Sequence, residues 1–240
     1  MKKSLFLLAS VLMTALFGCS NWDGDPITQE FSIDGAYSEL DIEDAFNVTV
    51  SDEVTNVTVT AGDRVMSNVR VEKNGNTLKI YLKGWAISHD DMTVVLPYNS
   101  ELKSIELSGA SVLRSSYVLA GTKVEIDLSG SSDFYGFVEA NELELDLSGA
   151  STATIEGQVA KLDMTISGSS ELKEKMAYNQ YSLACDQCKC SISGSSDAYI
   201  HCDGTIRGSV SGSSSLHFTG NASTTDCSTS GSSSISHDVF

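Results

Sequence analysis

One serine in the chain has a spacing associated with nucleophilic catalysis. Gly208-Ser209-Val210-Ser211-Gly212 matches the G-x-S-x-G pattern, in which a serine lies on a strand-to-helix turn beside a histidine and a carboxylate. No helical pattern follows Ser211, and the same serine recurs at equivalent places along the chain. We therefore interpret Ser211 as one member of a repeated serine row and predict no catalytic residue.

A second group is formed by Cys185, Cys188, Cys190, Cys202 and Cys227. The Cys-x-x-Cys-x-Cys spacing of the first three could hold zinc or an iron–sulfur cluster. Their positions in the repeat indicate instead that these cysteines fill the core, because a buried free cysteine behaves as a small hydrophobe. The equivalent positions in other repeats are apolar: Val124, Leu143, Leu162 and Ile206 for Cys188, and Ile126, Leu145 and Met164 for Cys190 and Cys227. A disulfide that involves Cys185, with Cys202 as one candidate partner, is the second interpretation, and a metal site is the third. Cys190 and Cys227 lie two repeats apart and should not pair.

Carboxylates recur at two outward positions of the repeat, Glu106, Asp127 and Asp146 at one and Glu125, Glu144 and Asp163 at the other. In a stack of repeats each would lie about 5 Å from a like charge. Calcium could relieve that repulsion because it takes several oxygen ligands, which would make this a weak cation-binding face. A solvated face whose charge discourages aggregation is the interpretation we favour. We predict no metal site and no cofactor.

The histidines and surface aromatic residues give weaker signals. His89, His201, His217 and His237 lack metal-ligand spacing, and Asp90-Asp91 beside His89 is typical of a turn. Trp85, Tyr135 and Tyr199 could stack on sugars, but partial burial is the simpler expectation.

A repeat must position all of these groups. Ser-Gly-(Ala/Ser)-Ser occurs seven times, with its glycine at residues 109, 130, 149, 168, 194, 212 and 231, at intervals of 21, 19, 19, 26, 18 and 19 residues. Apolar residues alternate with polar ones before each glycine and return four residues after it, which predicts two short strands joined by a corner. The long interval predicts an insertion at about residues 174–186.

Such units bury their inner faces only by stacking, so we predict an all-β fold: a single-stranded parallel β-helix or solenoid, right-handed by the crossover rule. Asn141-Glu142 and Gln158-Val159 are expected at the other turns. Serines flanking each glycine should form rows of hydroxyls.

Four segments divide the chain: a leader (1–19), an acidic tether (20–29), an N-terminal β head (30–100) and the repeat solenoid (101–240). The head shows alternating runs and a hairpin turn at Asn74-Gly75. We interpret it as a divergent cap of the same solenoid, with a separate β-sandwich as the alternative.

The leader has Lys2 and Lys3 before an apolar run that is too short to span a bilayer. Leu16-Phe17-Gly18-Cys19 resembles a bacterial lipobox, which implies lipidation of Cys19 and a membrane attachment; ordinary secretory cleavage is the alternative. The tether resembles that of surface-exported lipoproteins of Bacteroidetes-type bacteria; a flexible, solvated linker without an export signal is the alternative. With 32 acidic and 15 basic residues and a net charge of −17, a nucleic-acid partner is excluded.

The head segment ending in Asn76-Thr77-Leu78-Lys79-Ile80, followed by reiterated Leu-Ser-Gly-Ala-Ser and Leu-Ser-Gly-Ser-Ser, resembles the "putative auto-transporter adhesin, head GIN domain" proteins over about residues 30–235. This resemblance implies a β-helical fold and an envelope location. We expect a non-enzymatic outer-membrane lipoprotein, facing the cell surface or the periplasm, that binds an unidentified glycan or protein. A carbohydrate-active β-helix enzyme is the alternative.

Overall fold

The computed structural model describes residues 23–84, 91–173, 176–177 and 180–239. The fold is all-β, with one four-residue helix, α1 (Asp63–Met66), in these ranges. The strands are β1 (Pro26–Phe31), β2 (Glu39–Ile42), β3 (Phe46–Ser51), β4 (Val57–Gly62), β5 (Val69–Asn74), β6 (Thr77–Leu82), β7 (Met92–Pro97), β8 (Ser104–Leu107), β9 (Val112–Leu128), β10 (Asp133–Leu147), β11 (Thr152–Ile166), β12 (Glu171–Leu172), β13 (Met176–Ala177), β14 (Gln180–Tyr181), β15 (Leu183–Ile192), β16 (Asp197–Gly212), β17 (Ser215–Thr219), β18 (Ser223–Gly231) and β19 (Ser234–His237).

Successive repeats pair in parallel, with equivalent residues opposite one another. β9 pairs with β10, β10 with β11, β11 with β15, and β15 with β16. One inward column is therefore continuous and buried throughout: Leu107, Leu128, Leu147, Ile166, Ile192 and Val210. Burial of each such side chain stabilises the fold by about 1.5–3 kcal/mol. The core therefore consists of apolar columns that run along the stack and hold successive coils together.

Two details differ from the sequence prediction. Each repeat was expected to hold two short strands, but β9, β10 and β11 are single strands of 17, 15 and 15 residues. The expected turns at Asn141-Glu142 and Gln158-Val159 lie inside these strands, because pairing with the neighbouring coil continues almost unbroken on both sides of each turn. The chain therefore bends at these positions without losing the ladder that defines a strand.

The Ser-Gly-x-Ser corners stack directly on one another. Gly149 has a φ of +77°, and a Cβ on it would lie under 3.0 Å from the carbonyl oxygen of Gly130. That oxygen accepts a hydrogen bond from the N–H of Ala150 at 2.7 Å. Both the left-handed backbone and the close approach exclude a side chain, which explains why the corner position carries glycine.

The first corner of the stack is formed by Asp44. Its φ is +70°, and it is the one non-glycine residue with a positive φ in the described chain. Ala110 N–H donates to the Asp44 carbonyl, as each later corner does to its predecessor. The Asp44 carboxylate accepts the N–H of Leu82 in β6, so a side chain fits here because no glycine corner precedes it.

Residues before the repeats belong to the same sheet. β2 pairs in parallel with β8, and β3 pairs in parallel with β9. Antiparallel pairs lie toward the outer end: β5 with β6, and β4 with both β1 and β7. The Asn74-Gly75 turn joins β5 to β6, as the sequence predicts. These antiparallel strands continue the sheet beyond the first repeat.

The stack is interrupted at the long interval between Gly168 and Gly194. β12 has two residues, after which β13 and β14 form a separate antiparallel hairpin. Pairing from β11 to the following coil stops after Ala153 and resumes at Gly157, opposite Leu183. The predicted insertion was therefore too long, because Leu183 to Asp186 lie within the stack. Thr154 Oγ1, beside the gap, is buried without a hydrogen-bond partner among the described residues.

Candidate functional site

The predicted carboxylate rows lie on one outward face of the stack. One row contains four carboxylates, each opposite the next on the neighbouring strand: Asp41 on β2, Glu106 on β8, Asp127 on β9 and Asp146 on β10. We call these four residues the acidic ladder. Their inward neighbours are buried apolar residues, so the strand alternation that builds the core also directs every ladder carboxylate outward.

The parallel row of Glu125, Glu144 and Asp163 is neutralised locally. Lys123 forms ion pairs with Glu125 and with Glu144 of the next coil, and Lys189 contacts Asp163 at 2.8 Å. These hydrogen bonds raise the pKa of Lys123 and of Lys189. The two rows therefore differ, because every carboxylate of this row has an ion-pair partner.

The acidic ladder has a cation at its end rather than along it. Lys79 contacts Asp41 at 2.8 Å and Glu43 at 2.6 Å. No ion pair reaches Glu106, Asp127 or Asp146 from the described residues. The remaining three carboxylates therefore face like charges in adjacent coils.

This arrangement perturbs the ladder carboxyls. Burial, followed by the charges of Asp41 and Asp127, raises the pKa of Glu106. Burial, followed by the charge of Asp146, raises the pKa of Asp127. A shallow groove of about 260 Å³ runs between the two acidic rows. The face therefore combines negative charge, incomplete solvation and a concave surface.

Metal binding has no geometric support in the parts of the chain that the structure describes. No group of three or more His, Cys, Asp or Glu side chains there is placed to hold a metal ion. Calcium at the acidic ladder consequently stays a sequence-based hypothesis.

Two histidine clusters were not predicted from the sequence. His201 Nδ1 lies 3.0 Å from Thr219 Oγ1, and its Nε2 lies 3.2 Å from Asp203 Oδ2. His217 Nδ1 lies 3.1 Å from Asp238 Oδ2. Alignment of the repeats could have predicted these contacts. Thr219 lies 18 residues after His201, and Asp238 lies 21 residues after His217, each in the adjacent coil.

Thr219, His201 and Asp203 are arranged like the nucleophile, base and acid of a catalytic triad, but their surroundings favour a structural role. Thr219 is only 3% exposed, so a substrate could not reach its hydroxyl. Hydrogen bonds from the Asn221 N–H and from His201 lower the pKa of Asp203. The cluster thus fastens adjacent coils together. His89 and Asp90 lie outside the described residues.

Aromatic rings stack along the direction of the coils. The Tyr199 and His217 rings are 4.8 Å apart with 13° between their planes, and the Arg114 guanidinium lies 4.8 Å from the Tyr135 centroid. One face of each tyrosine ring is therefore covered by a neighbouring side chain. Trp85 lies outside the described residues.

The cysteines and Ser211 take the places that the repeat predicts. Cys188 is opposed to Leu162 and Ile206, and Cys190 is opposed to Met164; both are buried. Ser211 is partly buried in β16, with its hydroxyl 3.5 Å from the Ile192 carbonyl. Cys19 lies outside the described residues.

Comparison with known proteins places this fold in a family. The family model described as "putative auto-transporter adhesin, head GIN domain" matches residues 36–222. The chain belongs to this head GIN family. The match begins shortly before the Asp44 corner and includes all but the last of the seven glycine corners.

Solved structures share the fold of this head GIN protein at low sequence identity. A putative adhesin from Bacteroides fragilis aligns with a TM-score of 0.71 at 17% identity, covering 89% of this chain and 97% of its own. A putative adhesin from Parabacteroides distasonis gives 0.63 at 20% identity, with the same coverages. A putative lipid-binding protein from that organism gives 0.64 at 21%, covering 89% and 96%. No match was found among curated proteins.

No helix in the described part of the head GIN chain has the length and hydrophobicity needed to cross a membrane.

Proposed function

We propose that this head GIN protein is a non-enzymatic binding module of the bacterial cell envelope. In this proposal it is a right-handed β-solenoid, held at the outer membrane by a lipid on Cys19. Family membership and the adhesin names of two structural neighbours support this role. The handedness follows from the rule for parallel crossovers.

The observation that carries the proposal is the regularity of the outward face. Equivalent side chains stand opposite one another from Asp41 to Asp146, about 4.8 Å apart by strand spacing. A repeated surface of this kind suits a partner that is itself extended or repetitive, such as a glycan chain or a fibrous protein. We expect the acidic ladder to form part of the contact, because Glu106, Asp127 and Asp146 lack basic partners within the described chain.

A binding screen tests this proposal. The purified protein would be applied to arrays of glycans, host proteins and envelope fractions, and at least one saturable interaction is expected. Absence of binding across the arrays would refute the adhesive role. Release of reducing ends from a panel of polysaccharides, lost when one carboxylate is changed, would establish the enzymatic alternative.

A matched pair of variants tests the face. Glu106→Gln with Asp127→Asn and Asp146→Asn removes three charges from the acidic ladder. Asp133→Asn with Glu139→Gln and Glu171→Gln removes the same charge elsewhere. Only the first set should weaken the interaction; equal effects would show that net charge, and not this face, determines binding.

A further inference from the structure

Four buried cysteines lie together inside the stack. Cys185 and Cys202 are directly opposed in the parallel pair of β15 and β16, and are 3% and 0% exposed. Cys188 and Cys190 follow on β15 and also point inward. The Cys185 thiol interacts with those of Cys188 and Cys202, and the Cys188 thiol also interacts with that of Cys190. All four thiols are free.

This cluster lies beside the interruption of the stack. The ladder from β11 stops after Ala153 and resumes at Gly157, opposite Leu183, two residues before Cys185. The coil from Cys185 to Cys202 is therefore the first complete turn after the hairpin of β13 and β14. Fewer backbone hydrogen bonds hold the start of this coil to the preceding one. Cys202 lies in the next coil, so a covalent link to it would fasten this coil to the one that follows.

We propose that Cys185 and Cys202 become joined by a disulfide when the chain folds in an oxidising compartment. Opposed residues of paired strands lie about 4.8 Å apart at Cα, within the range of about 4.4–6.8 Å that a disulfide spans. Both side chains point into the same core column, so no backbone reversal is needed. Cys188, three residues along the strand, is the competing partner for Cys185.

The chemistry is thiol–disulfide exchange with an external disulfide, such as oxidised glutathione or an oxidoreductase. The Cys185 thiolate attacks one sulfur of the oxidant and releases its first thiol. The Cys202 thiolate then attacks the Cys185 sulfur of this mixed disulfide and releases the second. Two cysteines are oxidised, one disulfide is reduced, and the two protons lost by the cysteines end on the released thiols.

The thiols of the finished stack are not equivalent. Hydrogen bonds from the Cys188 and Cys202 thiols lower the pKa of Cys185, and the bond that Cys202 makes to Cys185 raises the pKa of Cys202. In the folded stack Cys185 is therefore the thiol that ionises most readily. Because both cysteines are buried in the finished stack, the exchange must precede the closure of this coil.

Mass spectrometry of refolded full-length protein tests the pairing. The chain, with Cys19→Ser to remove the sixth thiol, would be refolded in reduced and oxidised glutathione, alkylated in denaturant and cleaved with trypsin. Peptides 176–189 and 190–207 should be linked, with a mass two hydrogens below their sum. The link should persist in Cys188→Ala/Cys190→Ala and disappear in Cys202→Ala.

Three outcomes would overturn the pairing: alkylation of all five remaining thiols, a link that persists in Cys202→Ala, or a link that is lost in Cys188→Ala/Cys190→Ala. The test uses a supplied oxidant, so it is independent of the binding role and of cellular location.

Thermal unfolding gives a second readout. In Cys188→Ala/Cys190→Ala, reductant should lower Tm by roughly 6–12 °C, because the bridge closes a loop of one coil. The Tm of Cys202→Ala should not respond to reductant. An equal response in both variants would show that the bridge does not cause the stabilisation.

Discussion

Replacing one corner glycine tests whether adjacent coils contact each other at the corners. Gly149→Ala adds a single methyl group in the middle of the stack. The residue has a φ of +77°, and the new Cβ would meet the carbonyl oxygen of Gly130 at under 3.0 Å. Because that oxygen already accepts the N–H of Ala150, it cannot move away without loss of a backbone hydrogen bond.

Two effects add to the expected loss of stability. A left-handed backbone costs an L-residue about 1–2 kcal/mol. Overpacking against a fixed neighbour costs about 1–3 kcal/mol. The free energy of unfolding should therefore fall by about 2–5 kcal/mol, which for a chain of this size lowers Tm by roughly 5–15 °C.

Two further glycines separate these effects. Gly75 has a φ of +60°, and no atom lies within 4 Å of the place that a methyl group would take, so Gly75→Ala should show the backbone cost alone. Gly121 lacks a positive φ, and the nearest neighbour of its methyl group would be the Lys123 carbonyl at 3.4 Å, so Gly121→Ala should be nearly neutral. Thermal unfolding followed by circular dichroism ranks the three variants. If Gly149→Ala were no worse than Gly75→Ala, the corners would not be in contact.

The acidic ladder and the serine rows give two further predictions. The pKa of Asp127 is raised in the folded chain, so the ionised carboxylate destabilises the fold relative to the protonated carboxyl group. This cost is absent below the pKa of the unfolded chain and is complete once the pH has risen above the pKa of the folded chain. At neutral pH, Asp127→Asn should therefore unfold at a higher urea concentration than the unsubstituted protein, and this difference should vanish below about pH 4. A difference in urea midpoint that did not change with pH would contradict this explanation. Ser170 is 1% exposed, and its hydroxyl oxygen accepts a hydrogen bond from the Ser151 N–H at 3.3 Å. In urea unfolding, Ser170→Ala should therefore lower the free energy of unfolding by about 1–2 kcal/mol, and Ser167→Ala, at a partly exposed serine, by under about 0.5 kcal/mol. Equal losses would show that the buried serine row is not the cause.

The parallel register was predictable because the repeat itself encodes it. Ser-Gly-(Ala/Ser)-Ser marks equivalent positions, and alternation then assigns each neighbouring residue to the core or the surface. Cys188 and Cys190 were placed correctly by this logic, as was the column through Leu128 and Leu147. Regular spacing thus supplied information that composition alone lacks.

Features without a repeated signal were harder to predict. Asp44 occupies the first corner without being a glycine, and its side chain bonds to the backbone of Leu82. The sequence predicted a turn within each coil, but it did not show that strand pairing would continue through the bend. One partner of His201, Thr219, and one partner of Lys123, Glu144, lie in adjacent coils. They become visible only when the repeats are aligned residue by residue.

The contact between successive corner glycines also limits how such a protein can change in length. A one-residue deletion within a coil would move a side chain into the space beside a preceding carbonyl and reverse the inside and outside of the strand. Loss or gain of a whole unit of about 19 residues leaves the register of the remaining coils intact. Natural variation in this rod should therefore occur in complete turns, each changing its length by about 4.8 Å, with shorter insertions confined to places where the chain already leaves the stack.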